Sequence, residues 1–267
     1  ANSFRTSHYP YSEEEMRLAD RTGILIIDEI PAVGIGFGDP KKLRGPRLTQ
    51  CKRQVNELIA RDRNHPSVIA WCVSNEATPK GMLLSVVTGR PARGDRGGTN
   101  FLRTLLEQCR ELDPDRPAVL VALLGAPREW LKMSDLVCLN RYYGWYTQPG
   151  RIAEGAQALA AELADLAELG KPILVTEFGA DALGGSHAEP ARMWTEEYQA
   201  DYIAAMLDVL DACPAVVGTH VWNLADFRVT QSILRPNGCN YKGVFTRDRQ
   251  PKQAAHLLRR RWKLTDS

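Results

Sequence analysis

The sequence has 267 residues, of which 44% are hydrophobic and 25% charged, enough for one large domain with a substantial core. Its 34 basic and 32 acidic residues leave a net charge of +2, too even a balance to indicate a nucleic-acid or membrane-surface partner. No apolar run approaches the roughly 18 residues of a membrane span. The six cysteines include no CxxC pair, which argues against a zinc site or a disulfide framework and favours a reducing compartment, the cytoplasm.

Short apolar runs rich in β-branched residues alternate along the chain with longer segments of helical period, the pattern of parallel β/α units. Seven strands are predicted, at residues 2–9, 24–30, 68–74, 118–123, 136–141, 173–178 and 218–223. Helices are predicted between them at 13–21, 48–61, 100–112, 153–169, 196–211 and 252–262, with a single turn at 127–134. Residues 79–98 are rich in Gly, Pro and Arg and are predicted as a surface loop after the third strand.

Seven β/α units fit either a doubly wound sheet or an eight-stranded barrel that lacks one strand. A nucleotide-binding sheet would carry a GxGxxG turn after its first strand, and the sequence has only an isolated GxG at 34–36. Polar residues instead collect where the strands end: His8, Glu29, Asn75, Glu76, Asn140, Glu177, Asn223 and Asp226. Because barrel enzymes build their active sites from the carboxyl ends of several strands, this placement favours an α/β fold of the (β/α)8 TIM-barrel class.

Two of these residues, Glu76 and Glu177, are glutamates at the ends of strongly apolar strands. Burying a carboxylate there costs several kcal/mol unless it is hydrogen-bonded or performs a task. Retaining glycoside hydrolysis supplies such a task, since one carboxylic acid protonates the leaving oxygen and a carboxylate about 5 Å away attacks the anomeric carbon. The alternative is that each glutamate is a structural ion-pair partner of an arginine. Two such residues together, with Asn75 beside the first, favour the catalytic interpretation.

Asn75 and Glu76, and the sequence Thr-Glu-Phe-Gly at 176–179, resemble the acid/base and nucleophile motifs of glycoside hydrolase family 2, whose catalytic domain is a (β/α)8 barrel. Residues 2–10, 140–146 and 222–227 resemble the family's second, sixth and eighth strand ends. The resemblance covers essentially the whole chain and implies that Glu76 is the acid/base and Glu177 the nucleophile, with no metal or cofactor. It also implies that residue 1 lies in the second barrel strand, so that the first strand and the sugar-binding and immunoglobulin-like β-domains are expected to be absent from this sequence.

The sequence Asn-Tyr-Lys at 240–242 resembles the Asn-x-Lys motif with which the β-glucuronidases of this family hold the sugar carboxylate. A uronic acid is charged at C6, and the Lys242 ammonium with the Asn240 amide can replace its water shell. The alternative is that Lys242 is a solvated loop lysine. By the same resemblance, further residues should line the sugar site: His8, Asn75, Asn140, Tyr142, Tyr146, Trp222 and Arg235.

The expected activity is therefore hydrolysis of small-molecule β-D-glucuronides to glucuronic acid and an aglycone, with retention at the anomeric carbon. The resemblance further implies a homo-oligomer, a tetramer, for the full-length protein. Three alternatives stay open. Asn240 is compatible with a β-galacturonidase, and Lys242 disfavours a β-galactosidase. The third alternative is a non-enzymatic fragment or a catalytically dead sugar-binding barrel, and the presence of both Glu76 and Glu177 argues against the dead barrel.

Overall fold

The computed structural model of the chain describes residues 1–38, 44–80 and 96–263. Of the loop predicted at 79–98, residues 81–95 lie outside the described residues. The fold divides into two compact units, Ala1–Asn140 with Lys171–Leu174, and Arg141–Gly170 with Val175–Ser267. Among the described helices, none is both long and apolar enough to cross a membrane.

The first unit is a run of parallel β/α repeats. Its strands are β1 (Ser3–Arg5), β2 (Leu25–Glu29), β3 (Val68–Asn75), β4 (Ala118–Ala122) and β5 (Val137–Asn140), each paired in parallel with the next. Its helices are α1 (Glu13–Thr22), α2 (Arg44–Asp62), α3 (Arg96–Leu112) and α4 (Arg128–Met133). Apolar side chains from successive strands meet in one buried cluster, formed by Ile27, Ala70, Cys72, Val119, Val121, Cys138 and Leu174.

The second unit continues the same pattern and then departs from it. Strand β6 (Ile173–Phe178) begins in the first unit and ends in the second, where β7 (Val216–Val221) is its neighbour. The helices are α5 (Ile152–Ala167), α6 (Glu196–Asp211) and α7 (Gln253–Lys263). Between β7 and α7 lies a short antiparallel pair, β8 (Phe227–Arg228) and β9 (Cys239–Asn240), with a 3₁₀ turn at Pro236–Gly238.

The seven predicted strands and the helices between them are confirmed, with differences at two strands that matter for the site. Strand β1 ends at Arg5 rather than near residue 9, because the backbone turns at once: Ser7 N–H donates to Arg5 O at 2.8 Å and Tyr9 N–H to Thr6 O at 2.9 Å. Strand β7 lies two residues earlier than predicted and ends at Val221. His8 and Trp222 therefore lie in the turns after these strands.

The first helix shows how local sequence fixes an element boundary. Ser12 and Glu15 form a capping box, in which the Ser12 side chain accepts the Glu15 N–H and the Glu15 carboxylate accepts the Ser12 N–H. Gly23 ends the helix with a φ of 72°, a left-handed conformation that glycine adopts without steric cost. Met16 and Ala19 are the residues of this helix that are buried.

A pair of fully buried carboxyl groups joins β2 to α2. Asp28 and Asp62 are both 0% exposed. Burial and the neighbouring Asp62 carboxyl raise the pKa of Asp28 from an ordinary value of 3.8 to about 8. The Thr6 hydroxyl donates to Asp28 Oδ1 at 2.9 Å, and Arg61 Nη2 donates to Asp62 Oδ2 at 2.6 Å. Asp28 thus keeps its proton to a higher pH than an exposed aspartate does.

This pair should make stability fall as pH rises. The folded protein keeps a proton on Asp28 that the unfolded chain releases. The contribution of this carboxyl group to the free energy of unfolding is therefore fully present below pH 3.8 and is lost progressively as pH rises to about 8. Asn is neutral at every pH, and Asp28→Asn should therefore raise the melting temperature relative to the parent by more at pH 8 than at pH 5. Thermal melts of the full-length protein check this, with the exposed Asp201→Asn as the matched control. A difference that is the same at both pH values would contradict the assignment.

Candidate active site

Glu76 directly follows β3 and is partly exposed. Its φ of 52° lies in the left-handed region, which costs a non-glycine residue energy and is concentrated at functional sites. The backbone is held there because Glu76 N–H donates to Val121 O at 2.9 Å. Asn140 Nδ2 donates to Glu76 Oε1 at 2.9 Å and also to Asn75 Oδ1 at 3.1 Å. Three of the predicted site residues are thereby brought together in the first unit.

Glu29, at the end of β2, is buried and contacts His8 and Arg5, the residue that reaches Asn75. It is fully buried, with Arg5 Nη1 2.5 Å from Oε2 and His8 Nδ1 2.8 Å from Oε1. Burial alone would raise the pKa of Glu29, but the Arg5 charge and the His8 hydrogen bond outweigh it and hold that pKa below its ordinary value. Arg5 Nη1 also lies 3.4 Å from Asn75 Oδ1. The ionised Glu29 therefore fixes His8 and, through Arg5, Asn75.

Glu177 is buried near the end of β6 in the second unit. The Tyr142 hydroxyl donates to Glu177 Oε2 at 2.6 Å, which fixes the rotation of the carboxylate. Trp222 approaches the same strand, since its N–H donates to Phe178 O at 2.8 Å. The approach requires glycine at position 179, because a Cβ there would overlap the Trp222 carbonyl oxygen.

Lys242 is fully buried, so the interpretation as a solvated loop lysine is wrong. Its Nζ contacts the Asp181 carboxylate and donates to the Tyr146 hydroxyl at 2.9 Å. Three aromatic rings surround the ammonium, with centroids at 4.6 Å for Tyr146, 5.2 Å for Trp145 and 5.6 Å for Tyr142. A cation among ring faces is favourably placed, and the buried charge is compensated by Asp181.

Arg235 and Asn240 complete this group. Arg235 Nη2 donates to the Tyr146 hydroxyl at 2.9 Å, and its Nη1 lies 3.9 Å from Asp181 Oδ2. Asn240 Oδ1 accepts the Lys242 backbone N–H at 3.1 Å, which holds the turn that aims the lysine. In the second unit the structure thus places Tyr142, Glu177, Tyr146, Arg235, Asn240 and Lys242 in one connected network.

Comparisons with known proteins identify the family of the chain. The family described as "Glycosyl hydrolases family 2, TIM barrel domain" matches residues 1–266. The chain belongs to this family. The predicted barrel class and the resemblance to family 2 are therefore confirmed.

Several relatives of the chain are β-glucuronidases. The Paenibacillus borealis enzyme is 42% identical over 271 residues, which cover 98% of this chain and 43% of that protein. The Rattus norvegicus enzyme is 39% identical over 276 residues, covering 100% and 39%. Among solved structures, the β-D-glucuronidase of Dictyoglomus thermophilum is 44% identical with a TM-score of 0.89, covering 98% of this chain and 44% of that one. The chain thus spans less than half the length of the relatives it matches.

In this family 2 domain, a second buried lysine, Lys252, holds together the segments that carry Asp181, Asn240 and Lys242. Lys252 Nζ contacts Asp226 Oδ1 at 2.8 Å, Ala182 O at 2.6 Å and Tyr241 O at 3.0 Å. Asp226 Oδ1 also accepts the Gly243 N–H at 3.0 Å. Burial lowers the pKa of Lys252 and raises that of Asp226, while each charge offsets the effect on the other. The pair therefore fixes the 240–243 segment against the chain that follows β6.

Breaking this pair should be costly. Asp226→Ala leaves the Lys252 ammonium buried without its anion, and we expect the free energy of unfolding to fall by about 3 to 5 kcal/mol. Urea denaturation of the full-length protein measures the loss, with Ala at the exposed Asp248 as the control, expected to change it by less than about 0.5 kcal/mol. Equal losses in the two variants would show that the Lys252–Asp226 pair contributes no more to the free energy of unfolding than an exposed aspartate does.

Proposed function

We propose that the chain is the catalytic barrel of a retaining exo-glycosidase that hydrolyses β-D-glucuronides to glucuronic acid and an aglycone. The observation that carries the proposal is the cationic group around Lys242, in the same unit as Glu177. The β-glucuronidase of Bifidobacterium dentium, 40% identical to this chain with a TM-score of 0.88, is described in complex with coumarin-3-O-glucuronide. The Ruminococcus gnavus enzyme is described with D-glucaro 1,5-lactone. The compounds bound to these two enzymes support a uronic acid as the substrate of this chain.

In the proposed mechanism, the Glu177 carboxylate attacks the anomeric carbon and forms a covalent glycosyl-enzyme. The Tyr142 hydroxyl supports this role, because its hydrogen bond holds the carboxylate in one orientation. Glu76 in its protonated form donates to the departing aglycone oxygen, and as a carboxylate it then removes a proton from the water that hydrolyses the intermediate. The Asn140 amide at 2.9 Å supports Glu76 by fixing one of its oxygens.

The same proposal assigns the sugar contacts. Asn75 Oδ1 already accepts from Asn140 and Arg5, so the N–H groups of the Asn75 amide are the ones that can donate to the sugar 2-hydroxyl. His8, held by Glu29, would contact a further hydroxyl. The half-buried Trp222 ring would pack on the C–H face of the sugar.

The sugar carboxylate has its own proposed partners. We assign it to Lys242 and Arg235, with the Tyr146 hydroxyl between them and Asn240 fixing the turn. The Arg235 guanidinium and the Tyr146 hydroxyl can donate hydrogen bonds to the carboxylate, and the buried Lys242 charge behind them adds an attraction that a neutral sugar lacks. This difference is what should separate a glucuronide from a glucoside or galactoside.

A panel of p-nitrophenyl β-glycosides tests the proposal on the full-length protein. We expect the glucuronide to be hydrolysed at least about a hundredfold faster than the glucoside and the galactoside, in kcat/KM, because only the glucuronide engages the cations. A higher rate on the galacturonide would favour the β-galacturonidase alternative that Asn240 leaves open. Absence of turnover on every substrate would favour the inactive sugar-binding barrel.

Glu76→Gln should reduce activity by an amount that depends on the leaving group. An activated aryl glycoside needs little proton donation, so its glycosylation step should slow far less than that of an alkyl glucuronide. Pre-steady-state rates on p-nitrophenyl and methyl glucuronides measure the two effects. Glu107→Gln, on the exposed face of α3, is the matched control and should change neither. Equal losses on both substrates would count against an acid/base role for Glu76.

We also propose, from the family resemblance, that the full-length protein assembles as a homo-oligomer. Light scattering of the purified full-length protein measures the assembly directly. A tetramer is expected, and a monomer would contradict this part of the proposal.

A further inference from the structure

Lys242 and Asp181 form an ion pair that is closed off from solvent, with side chains 0% and 1% exposed. Asp181 Oδ1 also accepts the Tyr241 backbone N–H at 2.9 Å, so the carboxylate is fixed in place. Arg235 Nη1 lies 3.9 Å from the other oxygen, Oδ2. Two cations therefore share one anion, and the formal charge of Lys242, Arg235 and Asp181 together is +1.

The outer side of this group consists of Arg235 and Tyr146. The Arg235 side chain is 23% exposed and Tyr146 is 42% exposed, whereas Lys242 and Asp181 are buried. The Tyr146 oxygen accepts from Arg235 Nη2 and from Lys242 Nζ, both at 2.9 Å. These two bonds use both lone pairs of the hydroxyl, so its own hydrogen is left to donate. An anion that arrives from solvent meets Arg235 and the Tyr146 O–H first, with the Lys242 charge behind them.

We propose that Asp181 is a positioning residue that limits how tightly the site holds a sugar carboxylate. It neutralises Lys242 in the free protein, and it keeps the group at a single positive charge that one bound carboxylate brings to zero. The inference rests on the proposed uronide function and deepens it. Without Asp181 the group would carry +2, so the uronic acid product as well as the substrate would be held more tightly and the product would leave more slowly.

The Asp181→Asn variant removes the negative charge of Asp181 and nearly keeps the size of the side chain. Asn keeps an oxygen that can accept from Lys242 and from Tyr241, but it is neutral. A buried ammonium without an anion is costly, so the free variant should be less stable than the parent. A bound carboxylate supplies the missing anion and recovers part of that loss, which makes its binding more favourable. A neutral sugar cannot do this.

Calorimetric binding of D-glucuronate and D-glucose to the full-length protein and its Asp181→Asn and Asp181→Glu variants tests the proposal. In Asp181→Asn we expect D-glucuronate to bind about tenfold more tightly, the effect of one unit charge a few ångströms away in a partly buried site. The rise in melting temperature on adding D-glucuronate should also be larger than in the parent. On a glucuronide, kcat and KM should both fall. D-glucose binding should not change, and Asp181→Glu, which restores the charge, should bind D-glucuronate as the parent does.

A purely structural role would lower the melting temperature of Asp181→Asn and leave the D-glucuronate affinity of the variant unchanged or weaker, and that result would overturn the proposal. The binding constants do not depend on turnover. A parent that binds D-glucuronate without hydrolysing glucuronides would refute the proposed function alone. A parent that hydrolyses glucuronides, with an Asp181→Asn variant that binds no more tightly, would refute the role of Asp181 alone. A parent that neither binds D-glucuronate nor hydrolyses glucuronides would overturn both.

Discussion

Glu177→Gln is expected to lower kcat on a β-glucuronide by at least about a thousandfold, because no nucleophile remains to form the glycosyl-enzyme. The substitution should leave the fold intact, since the Gln side-chain oxygen can still accept the Tyr142 hydrogen bond that Glu177 accepts at 2.6 Å. Steady-state kinetics of the full-length variant measure the loss. Glu168→Gln, at an exposed position after α5, is the matched control and should behave as the parent.

A second variant separates a nucleophile from a residue that only stabilises charge. Glu177→Gly opens a gap into which azide can enter, and azide should restore cleavage and give a glycosyl azide of the opposite anomeric configuration. Activity of Glu177→Gln within tenfold of the parent would refute the assignment. A failure of azide to react, with the fold intact, would point to a charge-stabilising role for Glu177.

Lys242→Met should abolish the preference for a charged sugar. Loss of one partner from a buried charge pair costs on the order of 2 to 5 kcal/mol, so kcat/KM on a glucuronide should fall roughly thirtyfold to a few thousandfold. A glucoside has no carboxylate, and its weak rate should stay constant or rise. Parallel kinetics on the two p-nitrophenyl glycosides of the full-length protein measure the effect. Glu76 and Glu177 are unchanged, so the comparison isolates substrate choice from chemistry.

The structure adds a control to this experiment, because Lys242→Met leaves the buried Asp181 carboxylate without its cation. The single variant should therefore lose stability as well as specificity. The double variant Lys242→Met with Asp181→Asn removes both charges and should recover the melting temperature without recovering the preference for glucuronides. If glucuronide and glucoside rates fall together in both variants, Lys242 is a structural residue, and the proposal of a uronic acid substrate loses its main physical support.

The β/α pattern was predictable because parallel strands are apolar along their whole length and end in polar residues. The strand over 173–178 was predicted with both boundaries as observed. Boundaries failed where hydrogen bonds outside the strand decide them, as in the turn that ends β1 after Arg5. The antiparallel pair β8 and β9 was not predicted, because two residues in each strand are too few to show a period.

Candidate site residues were predictable where a strand end or a motif marks them, as for Glu76 and Lys242. Asp181 was missed, because its role comes from a contact with a residue 61 positions away, and its own neighbours in sequence form no pattern. Arg5 was missed for the same reason, since its partner Glu29 lies 24 positions further along the chain. The one signal that Asp181 offered was a charged residue among small and apolar neighbours, which also fits a solvated loop position.

The configuration of the first product tests the central proposal most directly. Proton NMR can follow the full-length protein as it hydrolyses p-nitrophenyl β-D-glucuronide, at times shorter than the spontaneous exchange between the anomers of the free sugar. Two successive displacements, first by Glu177 and then by water activated by Glu76, should release the β-anomer of glucuronic acid first. Release of the α-anomer first would mean a single displacement, and with it neither glutamate could have the role assigned here.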